Sequence, residues 1–164
     1  MRFQKGAALF SAVIVTASLM ASPALAQKSS DSITINIVGD VHGESAINLT
    51  ALSSLKKFFA DGNLNVFNLE TAVTDKTQRE EKQYNFKTQP KFLKALKSIG
   101  LNVATIANNH SYDYGNEGFL DTIRNLDKVG IAYVGGGLNS VLAYKGRVFK
   151  VKNVRIGILG FAKV

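Results

Sequence analysis

The 164-residue sequence contains no cysteine. This absence excludes disulfide bonds and thiolate metal sites, and it also excludes a lipoprotein anchor, which requires a cysteine at its cleavage site. Histidine is nearly absent as well, with only His42 and His110 in the whole chain. Any imidazole chemistry must therefore come from these two positions.

The start of the chain is typical of a secretory signal peptide over 1–26. Two basic residues, Arg2 and Lys5, precede an uncharged apolar run over 6–20. An A-x-A pattern at 24–26 then predicts cleavage before residue 27, with an uncleaved anchor as the alternative. No later segment is long and apolar enough to span a bilayer. We therefore expect an exported protein, periplasmic or extracellular, that meets the membrane only through this peptide or the export machinery.

The charge of the chain is basic, with a formal net value of +8. Removal of the signal peptide leaves about +6. Exported basic proteins tend to meet anionic partners, so we expect an anionic capsular or envelope polymer and no specific nucleic acid. A charge that serves solubility alone is the alternative interpretation. Residues 27–32 are short and polar, and they are predicted to be a disordered tether before the folded part at 33–164.

Strand and helix patterns alternate along the folded part. Apolar runs predict strands, and apolar residues at helical spacing predict helices, in the order strand 33–38, helix 51–59, strand 64–69, helix 90–99, strand 103–107, helix 116–129 and strand 131–134. A hairpin is predicted to pair 148–151 with 154–161. This order predicts an α/β fold whose mainly parallel sheet is covered on both faces. The polar stretch 71–87 is expected to fold over the site.

Two short motifs carry both histidines, Gly39-Asp40-Val41-His42-Gly43 and Ala107-Asn108-Asn109-His110. Each directly follows a predicted buried strand, and the carboxyl ends of such strands face the ligand crevice of α/β folds. A carboxylate and an imidazole from one rigid element suit zinc, manganese or iron. For one such motif alone, a turn histidine bonded to a neighbouring carbonyl is the preferred interpretation, but the presence of two favours a metal site.

A third motif, Asn68-Leu69-Glu70, follows another predicted strand, and the second histidine motif extends as ANNHSYDYG over 107–115. In order and strand context, the three motifs resemble the poly-gamma-glutamate capsule-synthesis (CapA) family, a branch with a calcineurin-like metallophosphatase fold. The likeness covers about 33–164. Serine/threonine protein phosphatases share GDVHG but continue with GDxVDRG and GNHE, which this chain lacks.

The resemblance implies two divalent transition metal ions (Mn, Fe or Zn) in the complete domain. Asp40 and His42 would hold one ion, Glu70 would bridge both, and Asn109 would hold the second. His110 would be the catalytic acid that protonates a leaving oxygen.

Three further residues would orient the ligands and the catalytic acid without binding a metal ion themselves, namely Asn68, Asn108 and Asp113. Asp113 has two interpretations, since it either orients His110 or caps the following helix, and the cap is slightly preferred.

The resemblance also implies a function in capsule polymer biosynthesis, as a phosphoesterase-like hydrolase when complete. One alternative is a non-catalytic factor that binds an anionic polymer through basic positions, namely Lys91, Lys94, Lys97, Lys145, Arg147, Lys150, Lys152 and Arg155. Another is an inactive truncated remnant. Four candidate ligands are too few for two metal ions, so 33–164 is expected to be the N-terminal half of a truncated metallophosphatase-like domain.

Overall fold

The structure, a computed structural model, describes residues 32–43 and 49–163. The expected signal peptide and nearly all of the expected tether lie outside these residues. No helix in the described ranges is both long enough and apolar enough to cross a bilayer.

Strands and helices alternate through the described chain. The elements are β1 (Ile35–Val41), α1 (Leu49–Ser53), α2 (Lys56–Phe59), β2 (Leu64–Leu69), β3 (Ala72–Val73), β4 (Lys87–Thr88), α3 (Pro90–Ser98), β5 (Val103–Thr105), α4 (Gly115–Val129), β6 (Ala132–Val134), α5 (Ser140–Tyr144), β7 (Arg147–Val151) and β8 (Val154–Ile158).

The main sheet has four strands in the order β1-β2-β5-β6. Every neighbouring pair in it is parallel, so the carboxyl ends of all four strands lie at one edge. This confirms the predicted α/β fold with a parallel sheet. The predicted hairpin is also confirmed, because β7 and β8 pair antiparallel across a turn in which Lys152 has φ 53°.

Two amphipathic helices, α3 and α4, pack against each other and bury the apolar stripes that the sequence predicts. Helix α3 starts with Pro90 in its first turn, where proline's missing amide costs nothing, and Gly100 follows it with φ 107°. Helix α4 ends at Gly130, which adopts the left-handed conformation that glycine accepts without strain. The buried side chains are Phe92, Leu93, Leu96, Ile99, Phe119, Ile123 and Leu126.

Three local predictions are wrong. Within the described part of the chain, the sheet is not covered on both faces at β1, where Ile37 is 81% exposed. The predicted helix over 51–59 is instead two short helices, and Leu55 and Phe58 of its expected apolar face are exposed. The Ser54 hydroxyl donates back to the carbonyl of Ala51 at the break, a local bond that competes with helix continuation.

The polar stretch 71–87 is partly buried, which its composition does not predict. Thr71 and Thr74 flank the buried strand β3, and the Val73 amide donates to the Thr122 hydroxyl of α4 at 2.9 Å. The remainder of the stretch is mostly exposed until Phe86. Helix α5 was also not predicted, and Asn139 caps it by accepting from the Leu142 amide.

Candidate functional site

The first histidine motif lies at a β-bulge. The register between β1 and β2 shifts between Val38 and Asp40, which leaves Gly39 without a partner in the ladder. Bulges of this kind re-aim side chains next to functional sites. Asp40 therefore lies opposite Asn68 on β2, whose amide donates to Asp40 Oδ1 at 2.7 Å.

Asn108 connects the second histidine motif to β2. Its side-chain amide donates to Asn68 Oδ1 and to the Leu69 carbonyl, both at 2.9 Å. Its side-chain oxygen accepts from the His110 amide at 3.0 Å and from the Ser111 hydroxyl at 3.1 Å. The two asparagines thus link the carboxyl ends of β1, β2 and the loop after β5 into one network.

Asp40 and Glu70 are joined by a hydrogen bond between their carboxyl groups. Burial, followed by this bond, raises the pKa of Glu70 above its ordinary value of 4.5. The hydrogen bond from Asn68, followed by the bond to Glu70, lowers the pKa of Asp40 below 3.8. The two carboxyl groups therefore titrate as a coupled pair, of which Glu70 is the more easily protonated member.

His110 is buried and faces a carboxyl group on each side. Its Nδ1 lies 2.8 Å from Asp113 Oδ2, and its Nε2 lies 3.9 Å from Glu70 Oε1. The helix-cap interpretation of Asp113 is wrong, because Tyr114 occupies the N-cap position of α4 and no side chain caps it. Asp113 instead orients His110, which is the other interpretation that the sequence left open.

Phe86 lies between the two histidines. Its ring stacks on His110 at a centroid distance of 4.0 Å and on His42 at 4.8 Å. The end of the stretch 71–87 thus lies over the strand ends, as expected. Neither Phe86 nor Lys82 was predicted as a site residue. An apolar ring at the end of an otherwise polar stretch was the one signal for Phe86.

The predicted metal ligands converge only in part. His42 is exposed and close enough to influence the ionisation of Asp40 and Glu70. Asn109 is exposed too, and its main-chain carbonyl accepts from Lys82 at 2.8 Å. Within 32–43 and 49–163, no three histidine or acidic side chains come together in a group that could hold a metal ion.

The donor types nevertheless fit a divalent cation. Two interacting carboxyl groups supply the negative charge that a divalent cation requires, and the cation competes with the proton that one of them would otherwise bind. Asp40 and Glu70 are such a pair, and the imidazole of His42 adds a donor suited to transition metals. A catalytic zinc requires three protein ligands, so the pair alone supplies only part of a coordination shell.

Residues 34–164 match the family described as "Bacterial capsule synthesis protein PGA_cap". The chain is 36% identical over 85 residues to the capsule biosynthesis protein CapA of Bacillus anthracis, covering 51% of this chain and 20% of that protein. It is 34% identical over 104 residues to the PGA biosynthesis protein CapA of Bacillus subtilis, covering 59% of this chain and 26% of that one.

A third relative is a probable polyglutamine synthesis accessory protein of Mycobacterium tuberculosis, which is 32% identical over 96 residues. The match covers 58% of this chain and 25% of that protein. The chain therefore spans about a quarter of the length of the curated relatives that it matches. Since the family match extends over most of the sequence and includes all three strand-end motifs, the chain belongs to the bacterial capsule synthesis protein family PGA_cap.

Proposed function

We propose that the complete protein is an exported metal-dependent hydrolase of a phosphoester or related bond, acting in the synthesis or export of an anionic polymer such as poly-gamma-glutamate. One observation carries the chemical part of this proposal. Asp40, Glu70 and His110, from three different strand ends, meet at one edge of the parallel sheet. Acids and an imidazole at that edge are poised for metal-assisted hydrolysis.

The interacting carboxyl groups of Asp40 and Glu70 support a cation between the strand ends. These two carboxylates would hold a divalent ion, with His42 and Asn109 as the additional donors that the family resemblance implies. A bound ion of this kind activates water and stabilises charge on a phosphoryl oxygen. The hydrogen bond from Asn68 fixes the orientation of Asp40 before any ion arrives.

His110 takes up a proton from water at Nε2, which makes the ring an imidazolium, and delivers that proton to the leaving oxygen while its Nδ1–H stays bonded to Asp113. Its Nδ1 is held by Asp113, so Nε2 is the nitrogen that points into the site. Burial of His110 and the stacked ring of Phe86 limit the ring to this orientation. A general acid that is fixed in place before the substrate binds contributes more than a mobile one.

The polymer part of the proposal rests on the relatives. Two of them are named for capsule or PGA biosynthesis, and a third is named a probable polyglutamine synthesis accessory protein. The net charge of +8 agrees with an anionic partner.

The test is hydrolysis of bis(p-nitrophenyl) phosphate by the complete protein in the presence of Mn²⁺. We expect Asp40→Asn, Glu70→Gln and His110→Asn each to lower kcat by at least about 100-fold. The matched controls are Asp61→Asn and Glu81→Gln, two exposed carboxyl groups outside the site, which should retain activity. Activity that survives in the three site variants, or that needs no metal, would refute the proposal.

A second candidate function is non-catalytic binding of the anionic polymer at the hairpin. Lys150 and Arg155 lie directly opposite each other across β7 and β8, and both are exposed. Like charges in this arrangement destabilise a hairpin unless an anion neutralises them. In the described part of the chain, no acidic side chain forms an ion pair with either residue.

Binding to poly-gamma-glutamate at increasing salt concentration tests this second function. We expect the affinity to fall with salt and to drop further in the double variant Lys150→Gln/Arg155→Gln. Lys56→Gln/Lys57→Gln, two exposed lysines on α2, is the control that keeps the same net charge. Equal loss in both double variants would assign the binding to net charge rather than to the hairpin.

A further inference from the structure

Asp113 is a fully buried carboxylate, with 0% of its side chain exposed. Its Oδ2 lies 2.8 Å from His110 Nδ1 and accepts from the Phe86 amide at 2.5 Å. A buried carboxylate with neutral donors alone remains costly, because its charge is removed from water. The compensating charge must come from a nearby cation.

That cation is Lys82, whose ammonium forms an ion pair with Asp113 Oδ1. This contact is an ion pair without the geometry of a hydrogen bond, because no described residue donates a hydrogen bond to Oδ1. The side chain of Lys82 is 32% exposed, and its ammonium also donates to the Asn109 carbonyl at 2.8 Å. The Lys82 ammonium thus contacts residues on either side of His110 in the sequence, Asn109 before it and Asp113 after it.

The segment that carries Lys82 is attached to this motif at several points. The Glu80 amide donates to the Asp113 carbonyl at 2.9 Å, and the Phe86 amide donates to the Asp113 side chain. Phe86 then stacks on His110. These contacts fix the position of Lys82 beside Asp113.

We propose that Lys82 is a positioning residue that acts through Asp113 to hold His110 in the tautomer with its proton on Nδ1. The bond made by one imidazole nitrogen decides which nitrogen carries the proton. Asp113 accepts a hydrogen bond from the Nδ1 proton most strongly when its carboxylate is ionised and fixed in position. This inference rests on the proposed function, in which the Nε2 of His110 faces the reacting groups.

Long-range ¹H–¹⁵N NMR of the full chain, without metal or substrate, tests the inference. The chain has two histidines, so His42 serves as an internal reference in every spectrum. In the wild type we expect His110 Nδ1 in the pyrrole-type region and Nε2 in the pyridine-type region. Lys82→Gln should move both resonances toward averaged values, and Lys82→Arg should keep them in place.

The matched control is Lys76→Gln, which removes a lysine of the same segment from an exposed ion pair with Glu117. We expect no change of the His110 resonances in this variant. Wild-type His110 resonances in folded Lys82→Gln would overturn the inference.

A second variant covers the case in which Lys82→Gln fails to fold. The double variant Lys82→Gln/Asp113→Asn removes the buried negative charge together with its partner, and it should regain cooperative unfolding. Failure to regain it would overturn the inference. Because the NMR measurement needs no turnover, a failure of this inference can be distinguished from a failure of the hydrolysis assay.

Discussion

The carboxyl groups of Asp40 and Glu70 interact at the ends of neighbouring parallel strands, where burial and this interaction raise the pKa of Glu70. Protonation of Glu70 relieves the repulsion that two ionised groups would have in its partly buried position. The interaction also makes the strand ends sensitive both to pH and to cations.

Glu70→Gln should change the pH dependence of stability. The pKa of Glu70 in the folded chain is raised above 4.5, so its favourable contribution is complete below 4.5 and is lost as the pH rises through the raised value. Glutamine does not ionise. The difference in free energy of unfolding, variant minus wild type, should therefore increase with pH when both are followed by urea denaturation. The exposed control Glu81→Gln should show no such trend, and a trend of the opposite sign would contradict the raised pKa of Glu70.

Phe86→Ala should increase the mobility of both histidine rings. The ring is partly buried and stacks on His42 and His110, so we expect a loss of about 1 to 2 kcal/mol in the free energy of unfolding. The ring protons of both histidines should also lose the upfield shift that a stacked aromatic ring causes in NMR spectra. Tyr84→Ala, at an exposed ring two residues earlier, is the control and should leave both histidines unchanged.

Asp121→Asn tests the attachment of β3 to α4. Burial opposes ionisation of Asp121, but the hydrogen bonds from Thr74 at 2.6 Å and Arg124 at 2.5 Å prevail and lower its pKa below 3.8. Its contribution is therefore present above 3.8 and is lost as the pH falls further.

We expect this variant to lose about 1 kcal/mol of stability near neutral pH. The loss should shrink in acid when unfolding is followed by circular dichroism. The exposed control is Asp75→Asn, and a loss in Asp121→Asn that is independent of pH would contradict this account.

Leu93→Ala tests whether the chain is a folded protein rather than an inert remnant. Leu93 is fully buried between the sheet and the helices, so its truncation should cost about 2 to 5 kcal/mol. Leu138→Ala, at a side chain that is 69% exposed, should cost far less. Equal effects, or unfolding without a cooperative transition in the wild type, would support the remnant interpretation.

The sequence predicts the sheet and its two long helices because those elements have periodic apolar faces with clear ends, such as Pro90 and Gly130. It fails where tertiary contacts override local pattern. Leu55 and Phe58 have helical spacing, yet the helix breaks beside them and leaves them exposed. Helix α5 is too short for its apolar period to be recognised.

The sequence likewise predicts only part of the candidate site. The positions of Asp40 and His110 follow from their placement at strand ends, which the sequence already shows. The roles of Lys82 and Phe86 do not, because their contacts with residues 109–113 bridge some 25 residues of sequence and depend on the path of an irregular segment. The same holds for Asp113, whose choice between His110 and the helix end was decided only by geometry.

Calorimetric titration of the complete protein with Mn²⁺, in two buffers of different protonation enthalpy, tests the cation site most directly. We expect binding to release a proton from Glu70 in acid, with less release as the pH rises through the raised pKa of Glu70. Asp40→Asn and Glu70→Gln should weaken binding at least about tenfold, whereas the exposed control Asp61→Asn should bind like the wild type. Mn²⁺ binding that is equally strong in all three variants, or no binding by the wild type, would contradict a cation site at these strand ends.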